Sequence, residues 1–432
     1  MTNVKRIRID CDGLITQDST GFLYRIPLPG TMVSQLMKTK DPARELKSIS
    51  RQYEEMETFF TVDGRLDARL DIIDEETDFL NRPLRIYYGI EPRCNLSCSY
   101  CGPRNFYDKD LKTSVEREDF LLKQFYEANV FQVQLTGGEI GIRGYDLVET
   151  VKKTNDFGFA VILSTSGVWK CIEDKRHFVG ELAKIGNIVQ VKVSIEGTPE
   201  YHDSLRGKGT HRQLVDTLEV LADYGFTPRL NQTLFKESCR DEHLDYLVRL
   251  AERFEGGLQL IPLRPIGNAR SLTDKMPSIQ QLYRYSKYAV QLRNQTGIPI
   301  KINFDFLDPD RKQPDDLIDY RQRYDLRSPS SCGAPFIGLH IDHKGQIYPC
   351  GFVQDVPEFV AGTITPETPL LDIWRNSEIL NRVRRAGKSD ECNTCSYYRK
   401  GCGGGCWVMG WIFDGVLNGK DPYCYKELVN IQ

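Results

Sequence analysis

From Leu84 onward, short apolar runs alternate with amphipathic stretches at helical spacing. The runs predict strands over residues 84–90, 131–135, 160–164, 188–195, 227–233 and 257–263. Helical stretches fall between them, for example over 116–128, 144–155, 212–224 and 242–254. That alternation is the mark of repeated βα units feeding a parallel sheet. Six such units are too few to close an eight-stranded barrel, so an open sheet is expected. Residues 1–82 read differently, as a small α+β unit. Residues 4–9 and 21–26 alternate enough to be strands, joined by a polar turn around Asp18 to Gly21. Two short helical patterns follow over 30–37 and 41–53, and the acidic stretch 63–76 reads as a linker. Residues 271–330 form a polar, helical bridge. Beyond it, residues 331–432 are rich in Cys and Gly, with helical periodicity only around 370–386. A Cys-rich segment without a large core is commonly held together by its metals.

Composition narrows the setting. The 432 residues suffice for two or three domains, and a net charge of -3 gives no electrostatic case for nucleic acid or a membrane surface. The N-terminus lacks the apolar core of a signal peptide, and no apolar run reaches the roughly 18 residues of a membrane span. A cytoplasmic protein is expected, in which clustered cysteines are metal or redox ligands rather than disulfides. Of 13 cysteines, ten fall into two groups with ligand-like spacing, and Cys11, Cys171 and Cys239 stand alone.

The first group is Cys94, Cys98 and Cys101, spaced C-x3-C-x2-C directly after the first predicted strand of the repeat. Three thiolates on one loop can hold three corners of a cubane iron–sulfur cluster, which normally takes four cysteines. The fourth iron is then open to a small molecule. A zinc knuckle is the alternative, but zinc wants four ligands, usually as C-x2-C pairs, and none lies nearby. The spacing, with Tyr100 before the last cysteine, resembles the signature of the radical S-adenosylmethionine (SAM) enzymes. The resemblance implies an open (β/α)6 partial TIM barrel over residues 83–270. It also implies SAM bound to the open iron and its cleavage to a 5′-deoxyadenosyl radical.

Further motifs fit the same family. Gly137-Gly138-Glu139 follows the second strand, where glycines permit close backbone approach and a carboxylate can accept from an ammonium group. It resembles the motif that contacts the SAM amino group. Ser164-Thr165-Ser166-Gly167 resembles the Thr-Asn-Gly variant after strand three. Val193 to Gly197 resembles a segment after strand four, which implies roles for Ser194 and Glu196 toward the SAM carboxylate or ribose. The family usually has aspartate at the Glu196 position. His202-Asp203 and Arg206-Gly207 also fit, with Arg206 expected to pair with the SAM carboxylate. In the Pro-Gly turn Leu263 to Gly267, the resemblance implies backbone contact between Ile266 and adenine; an ordinary turn is the alternative.

The second group comprises Cys332, Cys350, Cys392, Cys395, Cys402, Cys406 and Cys424. It resembles the SPASM module, with one extra residue between Cys395 and Cys402. The resemblance implies two auxiliary [4Fe-4S] clusters, three clusters in all. Cys332, Cys350 and Cys406 would bind one, with an open iron or a ligand not evident from the sequence. Cys392, Cys395, Cys402 and Cys424 would bind the other.

SPASM is found in maturases of subtilosin, PQQ precursor peptide, anaerobic sulfatases and mycofactocin. The chain is therefore expected to be a radical SAM oxidoreductase that abstracts hydrogen from a C–H bond of a ribosomally made precursor peptide. Residues 1–82 would be a winged-helix-like element that binds a leader peptide by strand addition along the 4–9 and 21–26 pair. A structural extension is the alternative for this unit. A flavodoxin or ferredoxin is the expected electron donor. The competing function is a SPASM dehydrogenase or epimerase acting on a sugar or antibiotic precursor. No catalytic side chain is identified; Cys171 and Cys239 are candidate hydrogen-atom donors, against the alternative of inert buried thiols.

Overall fold

The computed structural model describes residues 4–10, 13–18, 23–27, 30–50, 69–72, 82–102, 114–302, 333–354, 356–386, 389–396 and 404–429. The N-terminal unit is a four-stranded sheet with two helices. Its strands are β1 (Val4–Asp10), β2 (Gly13–Asp18), β3 (Leu23–Pro27) and β4 (Arg69–Ile72), in the order β3-β2-β1-β4. Helices α1 (Gly30–Lys38) and α2 (Pro42–Ser50) follow β3, and Ile7, Ile9, Val33, Leu36 and Leu46 bury a small core. Two features depart from expectation. A middle strand, β2, occupies much of the predicted connection between 4–9 and 21–26. The acidic linker contains β4, which pairs in parallel with β1. β1 is therefore an interior strand, and of the expected strand pair only β3 lies at a sheet edge.

The main sheet begins with β5 (Arg85–Glu91), β6 (Gln132–Gly137), β7 (Ala160–Thr165), β8 (Ile188–Ser194), β9 (Pro228–Leu234) and β10 (Gly257–Pro262). All six run parallel and neighbour one another in chain order. The sheet extends past them at both ends. β11 (Ile300–Ile302) adds in parallel to β10. β12 (Gly338–Asp342) adds in parallel to β5 and continues antiparallel into β13 (Gln346–Tyr348) and β14 (Gly362–Thr363). The sheet is open: β11 and β14 are its ends. The Cys-rich segment thus supplies strands to the main sheet instead of standing apart from it.

Helices α3 (Val115–Glu127), α4 (Tyr145–Asp156), α5 (Lys175–Ala183), α6 (Pro199–Arg206), α7 (Thr210–Asp223), α8 (Asp241–Arg253) and α9 (Ile279–Thr296) connect or follow the strands. Strand alternation sends Ile86, Val133, Leu135, Val191, Val193, Leu230 and Leu258 to one face, where the helices bury them. Ile279, Leu282, Tyr285 and Ala289 of α9 join that core, so the predicted polar bridge contains a packed helix. α9 is bounded by a Ser278–Gln281 capping box and by left-handed Gly297. The opposite face of the sheet is polar, with Arg85, Gln132, Gln134, Ser164, Lys192, Arg229 and Asn231. Arg8 of β1 lies 5.6 Å over the ring of Phe131, just before β6. The N-terminal unit therefore touches the end of the sheet where strands begin. Short helices α10 (Leu370–Asn376), α11 (Glu378–Arg385), α12 (Asp390–Asn393), α13 (Trp407–Asp414) and α14 (Tyr425–Val429) complete the C-terminal part. No helix among the described residues is long and apolar enough to cross a membrane.

Candidate active site at the C-terminal ends of the strands

The cysteine loop leaves β5 and is fastened by the turns of its neighbours. Glu91, the buried last residue of β5, accepts from Arg93 N, Nε and Nη2 at 2.8–2.9 Å, which sets the exit direction of the loop. Gly138 N donates to Glu91 O (2.7 Å) and Glu139 N to Arg93 O (2.9 Å). Asn95 Nδ2 donates to Val168 O (2.7 Å), past the end of β7. Asn268 N donates to Cys101 O (3.0 Å), past the end of β10. The glycines of the Gly137-Gly138-Glu139 turn serve this fastening. A Cβ on Gly137 would sit 2.2 Å from Glu91 O, and one on Gly138 would sit 2.1 Å from Arg93 O. Gly137 also has φ 141°, which an L side chain rarely adopts.

Cys94, Cys98 and Cys101 are in no disulfide and lie within a shell of Leu96, Tyr100, Val168, Phe235 and Leu263. Burial pushes the Cys94 thiol up to about 11 and raises Cys98 as well, while nearby Arg206 pulls both down. Among the described residues no three Cys, His, Asp or Glu side chains gather on a single metal-ion position. Three thiols on one loop, in an apolar shell with a cation close by, fit an iron–sulfur cluster.

Two buried carboxylates organise the surroundings. Glu139 caps the short 3-10 turn Ile140–Arg143 through Gly141 N (2.8 Å). It also accepts from Thr165 Oγ1 (2.5 Å), Ser166 N (2.7 Å) and Ser166 Oγ. Its four acceptor directions are thus supplied by protein donors, and it ties β6 to β7. Thr165 is braced in turn by Trp169 Nε1 (2.8 Å), and Trp169 fills the space beside Gly141. Ser164 points the other way, to the polar face, where its hydroxyl accepts from Gln134 Nε2 (2.7 Å).

Glu196 is fully buried after β8. Its Oε1 accepts from Tyr100 OH (2.5 Å), Arg206 Nε (2.9 Å) and Arg206 Nη2 (2.7 Å), and its Oε2 accepts from Thr233 N (2.9 Å). One carboxylate thus joins the cysteine loop, α6 and β9. Burial raises the Tyr100 phenol well above its ordinary range, so it remains a donor. Ser194 lies at the end of β8 opposite Asn231. His202 Nδ1 accepts from Glu196 N (3.3 Å), and burial holds its pKa down at about 3. Asp203 accepts from Gly209 N and His211 N, securing the turn into α7.

The turn after β10 joins both cysteine groups. Leu263 and Ala269 belong to the shell around Cys94, Cys98 and Cys101. Ile266 is buried with Val353, Phe359, Trp407 and Val408, next to Cys350 and Cys406. Both backbone groups of Ile266 are engaged within the turn, its N–H with Arg264 O and its carbonyl with Ala269 N. The Arg264 side chain is hydrogen-bonded to Cys406. Further along, Asp421 accepts from Cys406 N (2.7 Å) and Tyr423 N (2.9 Å), and Cys424 N donates to Asp421 O (2.9 Å). Cys424 lies close enough to Cys395 to feel its charge, and Cys395 N donates to Cys392 O (3.1 Å). The structure thus brings Cys392, Cys395 and Cys424 into one region and Cys350 and Cys406 into another. Cys11, Cys332 and Cys402 lie outside the described residues.

Residues 89–251 match the Radical SAM superfamily, and residues 332–396 match SPASM, an iron-sulfur cluster-binding domain. This chain is a radical SAM enzyme with a SPASM domain. Mycofactocin maturase MftC of Mycolicibacterium smegmatis is 26% identical over 350 residues, covering 80% of this chain and 84% of its own. The PqqA peptide cyclase of Bradyrhizobium diazoefficiens is 26% identical over 354 residues, covering 79% and 86%. In fold, the chain resembles SuiB of Streptococcus suis, solved with its precursor peptide SuiA. The TM-score is 0.73 at 18% identity, over 98% of this chain and 99% of that one.

A radical SAM enzyme needs a site that holds its cluster and cofactor still, and the loop is fastened in the way such a site requires. Two of the lone cysteines, Cys171 and Cys239, lie among the described residues. Cys239 is 3% exposed within the helix-side core, behind the sheet, and burial pushes its thiol up to about 12. Cys171 is exposed. Thr165, Trp169, Thr233, Arg264 and Asp421 were not singled out by sequence reasoning. Thr165 lies inside the Ser-Thr-Ser-Gly motif, and only the alternation of β7 reveals that it and Ser164 face opposite ways. Arg264 lies inside the Leu263 to Gly267 turn, and nothing in sequence spacing marks Trp169, Thr233 or Asp421.

Proposed function

We propose that this chain is a maturase that uses a SAM-derived radical to abstract hydrogen from a C–H bond of a ribosomally synthesised peptide. The observation that carries the reading is the likeness to two kinds of peptide-modifying relative over about four fifths of the chain. The likeness in fold extends over the N-terminal unit as well. The bound cluster and SAM would supply the 5′-deoxyadenosyl radical. Cys94, Cys98 and Cys101 would hold that cluster in the (β/α)6 partial barrel of residues 83–270. Glu139 keeps the turn beside it rigid, with Gly137 and Gly138 admitting the loop. Glu196 holds Tyr100 against the loop and orients Arg206 toward the SAM carboxylate, with Ser164, Ser194 and Ile266 around the same pocket.

The SPASM part, residues 331–432, would hold two auxiliary clusters, one on Cys332, Cys350 and Cys406, the other on Cys392, Cys395, Cys402 and Cys424. Residues 1–82 would bind the leader part of the peptide along the β3 edge, the only strand of the expected pair with an edge to offer. Residues 271–330 link the two parts, and a flavodoxin or ferredoxin would deliver electrons.

Mass spectrometry of a co-encoded short peptide tests the reading, after anaerobic incubation with holoenzyme, SAM and reductant. A mass change in the peptide that accompanies 5′-deoxyadenosine formation is expected. An unmodified peptide, with SAM cleavage instead coupled to a sugar or other small molecule, would overturn it.

A further inference from the structure

Below the strand ends, the polar face of the sheet carries an unusual charge. Alternation that buries Val191 and Val193 among the helices turns Lys192 to the other face; Leu230 does the same for Arg229. The two are register partners on adjacent strands. Arg85 of β5 and Lys301 of β11 lie near enough to repel Lys192. The ammonium of Lys192 donates to Gln134 Oε1 at 2.9 Å, a neutral acceptor. Arg229 Nε is buried with no hydrogen-bond partner, and so is Asn231 Oδ1 on the next inward position of the same strand. Among the described residues no carboxylate pairs with Lys192 or Arg229. The influences on them are burial and, for Lys192, other cations. Both are deep in the protein, yet both retain accessible surface.

Buried charge without a partner is costly, by several kcal/mol per ion; burial lowers the pKa of both groups, and the neighbouring cations lower that of Lys192 further, so an arriving anion would favour their charged forms. The location selects the ligand. Lys192 sits two residues before Ser194 and four before Glu196, so it lies about 7–13 Å along the strand from the end where the cysteine loop is held. That is below the proposed SAM pocket, on the side a radical at the strand ends would face. We infer that this cationic floor, centred on Lys192 and Arg229, is a binding site for a carboxylate carried by the substrate, either an acidic side chain or a terminal carboxylate of the peptide. The inference deepens the maturase reading and rests on it for the identity of the carrier. In this arrangement Lys192 and Arg229 bind the anion, and Asn231 Oδ1 accepts from an adjacent amide N–H. The target C–H bond is thereby held at a fixed height beneath the radical source.

The test is calorimetry on the anaerobic, SAM-loaded holoenzyme, in which the SAM carboxylate site is already filled. The probes are N-acetyl-L-glutamate α-methylamide for a side-chain carboxylate, N-acetyl-L-glutamine for a terminal one, and N-acetyl-L-glutamine methylamide as the neutral isostere. At least one charged probe is expected to bind ten times more tightly than the neutral one, and which of the two does so identifies the source. Its dissociation constant is expected to rise tenfold or more in Lys192→Met and in Arg229→Met. Equal binding of charged and neutral probes, no binding of either, or unchanged affinity in the variants would each overturn the inference. Thermal unfolding without probe gives a second reading. Removing an unpaired buried cation should leave the unfolding temperature equal or raise it, and a fall of several degrees in both variants would make these groups structural instead. The outcome is separable from the maturase reading. A modified peptide with no probe binding defeats only the carboxylate site; probe binding with no peptide modified defeats only the peptide reading.

Discussion

The two cysteine regions are built in opposite ways. The loop of Cys94, Cys98 and Cys101 is held by residues far away in sequence: Gly138 and Glu139 after β6, Val168 after β7 and Asn268 after β10. Glu196, after β8, reaches it through Tyr100. Of the described C-terminal cysteines, Cys395 and Cys424 are tied to their own neighbourhood, through Cys392 and Asp421, and Cys406 is tied both to Asp421 and to Arg264 of the turn after β10. α12 and α14, which flank those thiols, are four and five residues long, too short to persist alone. The contrast teaches that the first loop is pre-organised by the sheet, whereas the described thiols of the second region rest more on local contacts, which bound metals would consolidate.

Removing ligands should separate the two most sharply. Replacing Cys94, Cys98 and Cys101 with alanine is expected to abolish 5′-deoxyadenosine formation and to lower iron content by about a third of three cubanes. The unfolding temperature should scarcely change. Iron chelation from that variant should instead open residues 333–429 to protease while 114–302 stay resistant. Equal resistance of both regions, read by peptide mapping, would erase the contrast.

Smaller changes probe the pre-organised site itself. Glu139→Gln replaces a carboxylate that takes four protein donors with an amide that has one oxygen. A loss of about 3 kcal/mol is expected by chemical denaturation, toward the upper end for hydrogen bonds to a buried charge. SAM affinity should fall with it, with the auxiliary clusters intact. Unaltered stability would show that this turn is not what holds the loop. Glu196→Asp restores the residue usual in the family but shortens the reach by one methylene. It should lose at least one of the contacts to Tyr100, Arg206 and Thr233, costing about 2 kcal/mol. A variant as stable as the parent would mean the surrounding backbone adjusts freely, contrary to a rigid site.

The smallest effect is in pH. Burial depresses the His202 pKa to about 3 from an ordinary 6.5. The unfolded chain takes up a proton below pH 6.5 that the folded chain refuses until about pH 3, so stability is lost as pH falls through that window. The expected slope is on the order of 1 kcal/mol per pH unit. His202→Asn should flatten the slope between pH 6.5 and 5 in denaturation curves. A wild-type slope retained in the variant would place the titrating group elsewhere.

Much of this was legible in the chain because it rests on local pattern. The alternation of apolar runs and amphipathic stretches marks the six parallel strands β5 to β10. C-x3-C-x2-C and the cysteine spacing after residue 331 mark iron–sulfur chemistry, because ligand spacing on a short loop is itself a geometric constraint. The pattern missed β2, whose residues 13–18 mix apolar and polar types without strict alternation. It missed β4, whose charged sequence becomes a strand only because β1 offers a parallel partner. It also missed β12 joining β5 across roughly 250 intervening residues.

The same limit applies at the site. Sequence named Glu139, Glu196 and Arg206, since motifs keep their order along the chain. Only the tertiary structure decided that Glu139 is fully engaged by Gly141, Thr165 and Ser166 and that Glu196 binds Tyr100, Arg206 and Thr233 together. It alone set Lys192 beside Arg229 without an acid among the described residues. Residue type and spacing fix which chemistry is available, because they act within a few residues. Which groups meet, and which buried charges remain uncompensated, depends on strand order and register, and those are set by the packing of the whole sheet.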